Sequence, residues 1–332
     1  METQALGRTG LKVSRLALGG LFVAKHAAEQ AEANRVVKRA LELGINYIDT
    51  APSYGNSEEA LGEAFKEIKQ PFILSTKLGG RPDPFKPQDK AALRQSVETS
   101  LKLLNREVID ILMIHEPDRP GQWDWWTDWQ TINGPVLELM AELKKEGKIK
   151  YTGLGGTTCY ELSHIINSGK FDVVLTAFNY SLLWQEAKET AVPAARAQNM
   201  GVVVGSPLQQ GALARKYDAV NDPSAYWLSP ARKEQMKKLY ALSDECGLTL
   251  PELCLRWVLS DPRVDTVLMG ARSVKEVDEN VASAEKGALP DDLVKKIDAL
   301  YQLVPFRPAE EPWGLGWKIS NPGCYKGPAG LR

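Results

Sequence analysis

The sequence predicts an α/β fold of the (β/α)8 barrel type, on three observations. Apolar, β-rich segments alternate with helix-patterned segments along the chain, giving eight strands separated by helices. Several strands are continuous apolar runs, VIDILMI and FDVVLTAF among them, as expected of strands covered on both faces. No G-x-G-x-x-G follows the first strand, where a dinucleotide-binding open sheet would need one, so a doubly wound sheet is the runner-up.

The elements follow in order. Residues 13–20 read as the first strand, and 27–43 as a helix by apolar spacing. Residues 45–51 form the second strand and 58–69 the second helix. The third strand, 72–78, precedes a helix at 90–104. The fourth, 108–115, is followed by a long Trp-rich loop and a helix at 136–146. The fifth, 149–155, leads to a short helix at 160–168. The sixth, 171–179, leads to a helix at 186–199. The seventh, 201–206, precedes a long loop and helices at 231–246 and 251–259. The eighth, 264–270, ends in a helix at 274–286. The total fits a barrel of roughly 250 residues with insertions. No linker or composition break divides the 332 residues, so one domain is expected, 1–332, with an irregular Pro/Gly-rich tail from about 304.

Bulk chemistry narrows the function classes. Hydrophobic residues make up 43% and charged residues 25%, as in a globular protein with a full core. Net charge is −1, which leaves no field to attract nucleic acid or an anionic membrane. The cysteines Cys159, Cys246, Cys254 and Cys324 form no C-x-x-C pair, and three histidines are too few for a His-rich metal site. No apolar run reaches membrane-spanning length and the N-terminus has no signal-peptide pattern. A cytoplasmic protein acting on a small molecule, as a monomer or homo-oligomer, is expected.

Barrel enzymes keep their chemistry at the C-terminal ends of the strands. Asp49 ends the second strand and Tyr54 follows it in DTAPSYG. Lys77 ends the third and His115 the fourth. Singly, these read as a turn residue, a solvated lysine and a core histidine. Together, on three adjacent strands, they point to a site.

DTAPSYG, STKLG and IDILMIHEPD resemble the aldo-keto reductase signatures in order and spacing. LGRTGLKVSRLALGG, SPL after the seventh strand and EN in the last barrel helix also match, so the resemblance covers roughly 6–282. It implies a (β/α)8 TIM barrel with an N-terminal β-hairpin and a C-terminal loop and tail capping the active site. It also implies the catalytic tetrad Asp49, Tyr54, Lys77 and His115. Tyr54 would deliver the proton, Lys77 would lower its pKa, Asp49 would hold Lys77, and His115 would orient the substrate oxygen.

The resemblance further implies a nicotinamide cofactor, with NADP(H) favoured and NAD(H) the alternative. Gly20, Leu21, Asp49, Gly155, Gly156 and Asn179 are candidate contacts near the nicotinamide. Ser206, Leu208, Gln210 and Gly211 would line the pyrophosphate. Gly270, Ala271, Arg272, Ser273, Glu276, Glu279 and Asn280 would hold the adenosine end. Two departures stand out. Gly155-Gly156 replaces the usual Ser-Asn pair, and Gly205 replaces the aromatic that stacks on the nicotinamide. Arg272 suits a 2′-phosphate, whereas Glu276 suits a free 2′-hydroxyl.

Phe22, His26, Trp123, Trp125 and Trp126 are candidate substrate walls, with Trp129, Trp313, Trp317 and Tyr325 nearby in the same reading. Their aromatic faces, with interspersed Asp124, Asp128 and Gln130, predict a sugar or related polyhydroxy substrate. Packing of the insertion is the structural alternative for the Trp residues. The rival functions are a sugar 1-dehydrogenase running oxidatively, a cofactor-binding regulatory subunit of the potassium-channel type, and an aldolase using Lys77 as a Schiff base.

Overall fold

A computed structural model of the chain describes residues 1–119, 124–225 and 228–305. Ten strands are present among them: β1 (Thr3–Ala5), β2 (Lys12–Ser14), β3 (Leu16–Gly19), β4 (Tyr47–Asp49), β5 (Ile73–Leu78), β6 (Ile109–His115), β7 (Ile149–Gly156), β8 (Val173–Ala177), β9 (Gly201–Gly205) and β10 (Thr266–Gly270). β1 and β2 make an antiparallel hairpin. The other eight close into a parallel barrel in the order β10-β3-β4-β5-β6-β7-β8-β9.

The helices are α1 (Gln30–Glu42), α2 (Ser57–Phe65), α3 (Lys90–Leu103), α4 (Pro135–Lys145), α5 (Cys159–Asn167), α6 (Glu186–Glu189), α7 (Ala191–Ala197), α8 (Pro230–Cys246), α9 (Leu250–Leu259), α10 (Val274–Glu285) and α11 (Asp291–Tyr301). They wrap the barrel, each burying one stripe. In α1 the stripe is Ala33, Val36, Val37, Ala40 and Leu41, at the three- and four-residue spacing of a helix face. None of the helices among the described residues is long and apolar enough to cross a membrane.

Strand alternation divides the core in two. Ala17, Tyr47, Ile111, Met113, Val173, Leu175, Val203 and Leu268 point into the barrel, and the larger outer cluster faces the helices. Leu6 and Val13 from the hairpin segment join the inner cluster and stopper the end from which the strands start. Gly201, the first residue of β9, is small for this reason: a Cβ there would lie 2.6 Å from Leu6 Cγ.

Three expectations need correction. Residues 13–20 are not one strand. The chain bends at Arg15, whose guanidinium donates to the carbonyls of Leu259 (2.9 Å) and Val264, so Val13 belongs to the hairpin and only Leu16–Gly19 to the barrel. The helix expected at 186–199 breaks at Thr190 (φ −124°, ψ −85°) into α6 and α7. Helix α11 was not anticipated, because the repeat of strand and helix ends at α10. Its signal is the buried pair Leu293 and Ile297, one turn apart. Gln235 of α8 donates to its Leu300 carbonyl at 2.9 Å. The tail residues Trp313, Trp317 and Tyr325 lie outside the described residues.

The hairpin stopper generates the first prediction. Leu6→Ala should lower unfolding stability by about 2–5 kcal/mol, the cost of a buried Leu truncation. Turnover should barely change, because the polar strand ends lie at the other rim. Urea melts and initial rates on one preparation check both halves, and a stable variant would mean the hairpin is peripheral.

Candidate active site

The alternation that fills the barrel with apolar side chains also delivers the polar ones. Two residues beyond Tyr47 is Asp49, two beyond Met113 is His115, and four beyond Ile73 is Lys77. All three therefore point inward at the strand ends. Tyr54 lies past β4, in the turn that enters α2, with its amide donating to Ala51 O at 3.1 Å.

Lys77 is the hub. Its Nζ donates to Asp49 Oδ2 at 2.6 Å and to Thr50 O at 2.8 Å, and lies 4.9 Å from the centre of the Tyr54 ring. Both side chains of the Lys77–Asp49 pair are almost fully buried. Ser75 donates to the other Asp49 oxygen at 2.6 Å, and Tyr47 donates to Ser75 at 2.9 Å. The Tyr54 and His115 rings meet edge to face, 5.7 Å apart.

At Tyr54 burial and Lys77 pull in opposite directions. Burial raises the Tyr54 phenol above its ordinary value, and the Lys77 ammonium pulls it back only in part. Tyr54 is thus protonated at neutral pH. Burial alone would lower the Lys77 ammonium, but Asp49 and Tyr54 outweigh it and hold Lys77 charged. Burial, with Lys77 and Arg119, pushes the His115 imidazole well below its ordinary range, so the ring is neutral. A neutral ring carries one N–H and can orient an oxygen, but it is no proton reservoir.

Several supporting residues escaped the sequence reading. Ser53 Oγ lies 3.2 Å from His115 Nδ1. Glu58, buried at the start of α2, accepts from Thr76 (2.7 Å) and from Arg81 (2.6 Å). Asp118 accepts from the Thr157 amide at 2.7 Å and from the Thr158 amide and hydroxyl, pinning the end of β7. Arg119 donates to Thr157 Oγ1 at 2.7 Å and lies 3.5 Å from Glu116. Two sequence signals touch them: HEPD, polar residues directly after a strand end, contains Glu116 and Asp118, and DTAPSYG contains Ser53.

The inward strand ends opposite the tetrad are Gly155, Ala177, Gly205, Gly270 and Gly19. His115 is in register with Gly155, Ala177 with Gly205, and Gly270 with Gly19. One half of the rim is charged and the other bare. A Cβ on Gly155 would come to 3.4 Å from Lys77 Cε, and one on Gly205 to 3.1 Å from Leu175 Cδ2. That trough, open beside the charged half, fits a flat nicotinamide ring. Gly156 points the other way, toward Leu162 and Asp118, and is required by packing.

The remaining cofactor candidates divide. Gly20 is packed, its carbonyl accepting from Ser57 at 2.7 Å, whereas Leu21 is exposed at the rim. Asn179 donates to Thr157 O at 2.6 Å and so ties β8 to β7. After β9 the turn holding Ser206, Leu208, Gln210 and Gly211 runs irregularly, with positive φ at Ser206, Gln209, Gln210 and Gly211. Gln210 Oε1 is buried there with no partner among the described residues. Gly270, Ala271, Arg272 and Ser273 lead into α10, and Ser273 caps it by accepting from Glu276 N at 3.3 Å. Glu279 is exposed beside Lys275, and Asn280 is half-buried.

Among the substrate candidates, His26 stays at the mouth, near Gly55. Phe22 lies on the cofactor side instead, its ring covering Gly270 beneath Arg272. Trp125 is fully buried against Phe85, and Trp126 donates to Pro117 O at 3.0 Å with its ring edge-on to Phe171. Both pack the insertion onto the barrel and are not substrate walls, because burying their indoles against apolar neighbours is the stronger demand. Trp129 packs on His164. Trp123 lies outside the described residues.

Two predictions follow from the charges. Lys77→Met should cost about 3–5 kcal/mol of stability, because Asp49 is left buried without its cation. Since Lys77 is what restrains the phenol, the alkaline rise of oxidation rate should also move to higher pH; a melt and profile like wild type would refute the hub role. For His115, the folded state resists the proton that the unfolded chain accepts below about pH 6.5. Stability should therefore fall from that pH downward, by up to about 1.4 kcal/mol per unit. His115→Gln should flatten that part of the slope in thermal melts between pH 7 and 5.

With this geometry in hand, comparison with known proteins is direct. The model of the Aldo/keto reductase family matches residues 15–302. L-galactose dehydrogenase of Arabidopsis thaliana is 29% identical over 319 residues, spanning 92% of this chain and 95% of its own length. The NADH-specific methylglyoxal reductase of Escherichia coli is 28% identical, over 85% of this chain and 93% of its own. The solved holo form of the aldo-keto reductase AKR11C1 from Bacillus halodurans superposes with a TM-score of 0.75 at 28% identity, covering 94% of this chain and all of that one. The match runs through every barrel strand, and this chain belongs to the aldo/keto reductase family of NAD(P)H-dependent oxidoreductases.

Proposed function

We propose that the chain moves a hydride reversibly between NAD(H) and the carbonyl or hydroxyl carbon of a sugar or related polyhydroxy compound. The observation that carries the chemistry is Lys77 Nζ, held 2.6 Å from Asp49 and 4.9 Å from the Tyr54 ring on the charged half of the rim, facing the bare half. The nicotinamide, when bound, supplies or takes the hydride. In reduction Tyr54 gives its phenolic proton to the substrate oxygen while His115 donates a hydrogen bond to the same atom. Their two donors favour the developing alkoxide. In oxidation Tyr54 takes the proton back, which its raised pKa makes slow until alkaline pH.

For the cofactor, Arg272 alone favours NADP(H). Its surroundings support NAD(H) better. Glu276 accepts from the Arg272 amide at 2.8 Å and faces its guanidinium at 3.5 Å. Glu32 of α1 accepts from the Val274 amide at 3.1 Å. That bond and Arg35 hold the Glu32 carboxyl below its usual range. Two carboxylates thus occupy the N-terminal turn of α10, where a 2′-phosphate would otherwise find positive potential. The NADH-specific relative is consistent with this. Titrating NADH and NADPH against the protein's tryptophan fluorescence should give at least about tenfold tighter NADH, and Glu276→Gln should narrow the gap. Tighter NADPH would return the assignment to Arg272.

The substrate reading rests on the polar mouth, with Ser53 and Arg119 beside His115, Glu116 next to it in the chain and His26 near Gly55, and on the likeness to L-galactose dehydrogenase. It no longer draws on the Trp cluster. The same likeness favours oxidation at a sugar's C1 as the working direction. Cys246 and Cys254 carry no disulfide among the described residues, which suits the reducing cytosol. A panel of aldoses with NAD+ and of aldehydes with NADH tests substrate and direction together. Simple aromatic aldehydes turned over far better than every sugar would overturn the substrate class.

A further inference from the structure

Within that hydride-transfer reading, we propose that Ser53 is the positioning residue that fixes the tautomer of His115, leaving the proton on Nε2 to face the substrate oxygen. The contact is direct: Ser53 Oγ stands 3.2 Å from His115 Nδ1. A neutral imidazole carries one N–H, and the bond made by one ring nitrogen decides the state of the other. With the Ser53 hydroxyl donating to Nδ1, the proton resides on Nε2. With the opposite polarity, Nε2 would present a lone pair to the lone pairs of a carbonyl oxygen. That arrangement would repel the substrate rather than orient it.

The charges around the ring make the choice matter. Lys77 and Arg119 both disfavour a second proton on the imidazole, as does its burial. His115 therefore cannot satisfy both sides by becoming a cation, and one neighbour must select the tautomer.

Ser53 is also held to the task. Gly80, at φ +82°, brings its backbone against Ser53, so that a Cβ at Gly80 would lie 3.1 Å from Ser53 Cβ. The next residue, Arg81, is anchored through Glu58 at 2.6 Å and Ser100 Oγ at 2.7 Å. Glu58 is buried and also accepts from Thr76, the neighbour of Lys77 in β5. The loop after β5 thus wedges Ser53 toward His115 from a fixed base.

The test combines a spectroscopic and a kinetic reading. With three histidines in the chain, two-bond 1H–15N spectra of the imidazoles are readily assigned, using His115→Gln to identify the signal. Wild type should show His115 protonated at Nε2. Ser53→Ala should show mixed tautomers and about tenfold lower kcat in reduction, with KM changed less than about twofold, as expected for a weakened transition-state donor. Ser53→Thr, which keeps the hydroxyl, should restore both. An unchanged Nε2–H signal in Ser53→Ala would overturn the proposal, whatever the rate does. A mixed signal with wild-type kcat would overturn its catalytic half. If wild type reduced no carbonyl at all, the hydride-transfer reading would fail while the spectra still reported on Ser53.

Discussion

Everything at the active rim is arranged around one buried ion pair. Lys77 and Asp49 sit 2.6 Å apart with almost no exposure, and two charges placed there would cost several kcal/mol each if left alone. The structure offsets that cost with close partners. Ser75 and Lys77 take the two Asp49 oxygens, and Thr50 O takes a second proton of the ammonium. The pair does not serve stability best, since apolar residues would pack more cheaply. Its consequence is a permanently charged ammonium beside a phenol that burial would otherwise push still higher. The same contact sets the field on the Tyr54 phenol, whose ring centre lies 4.9 Å from the ammonium.

The barrel makes the pair possible by separating its two ends. At the starting rim the hairpin pushes Leu6 into the barrel, and the inward layers above it are largely apolar, with Ser75 as a polar link from Tyr47 up to Asp49. Only the last inward position of each strand is free of that packing. There the sequence places polar side chains on β4, β5 and β6 (charged Asp49 and Lys77, neutral His115), and glycine or alanine on β7, β8, β9, β10 and β3. A Cβ on Gly205 would press Leu175 at 3.1 Å and one on Gly155 would touch Lys77 at 3.4 Å, so the glycines leave bare backbone beside the ion pair. Stability is built at one rim and chemistry at the other.

Most of this was readable in the sequence, for a physical reason. Strand periodicity of two forces inward side chains to recur at fixed places, so Asp49, Lys77 and His115 declared themselves by ending apolar runs. The limits were also physical. The pKa of Tyr54 depends on the balance of burial against Lys77, and a sequence shows the charge but not the burial. Trp125 and Trp126 have the composition of a stacking wall, yet large indoles go first to packing. Helix α11 lies beyond the last strand, where the barrel rhythm no longer helps. Ser53, Glu58 and Arg81 act across loops, and contacts between loops have no period to read.

The two glycine departures follow the same division of the rim. Replacing a polar pair by Gly155 and Gly156, and an aromatic by Gly205, removes side chains from the bare half without touching the charged half. Gly156 faces outward onto Leu162 and Asp118, so its smallness belongs to the helix layer. Gly155 faces inward beside Lys77, and Gly205 beside Leu175 and Ala177, so theirs belongs to the site. Contacts to a bound ring on this side therefore have to come from backbone groups and from residues that reach in over the rim, such as Leu21, Phe22 and the irregular turn after β9. Binding would then depend on loops laid over the trough more than on side chains growing out of it. Because those loops follow the strands, they can vary while the ion pair beneath them stays fixed, which lets one barrel keep its proton chemistry and change what it holds.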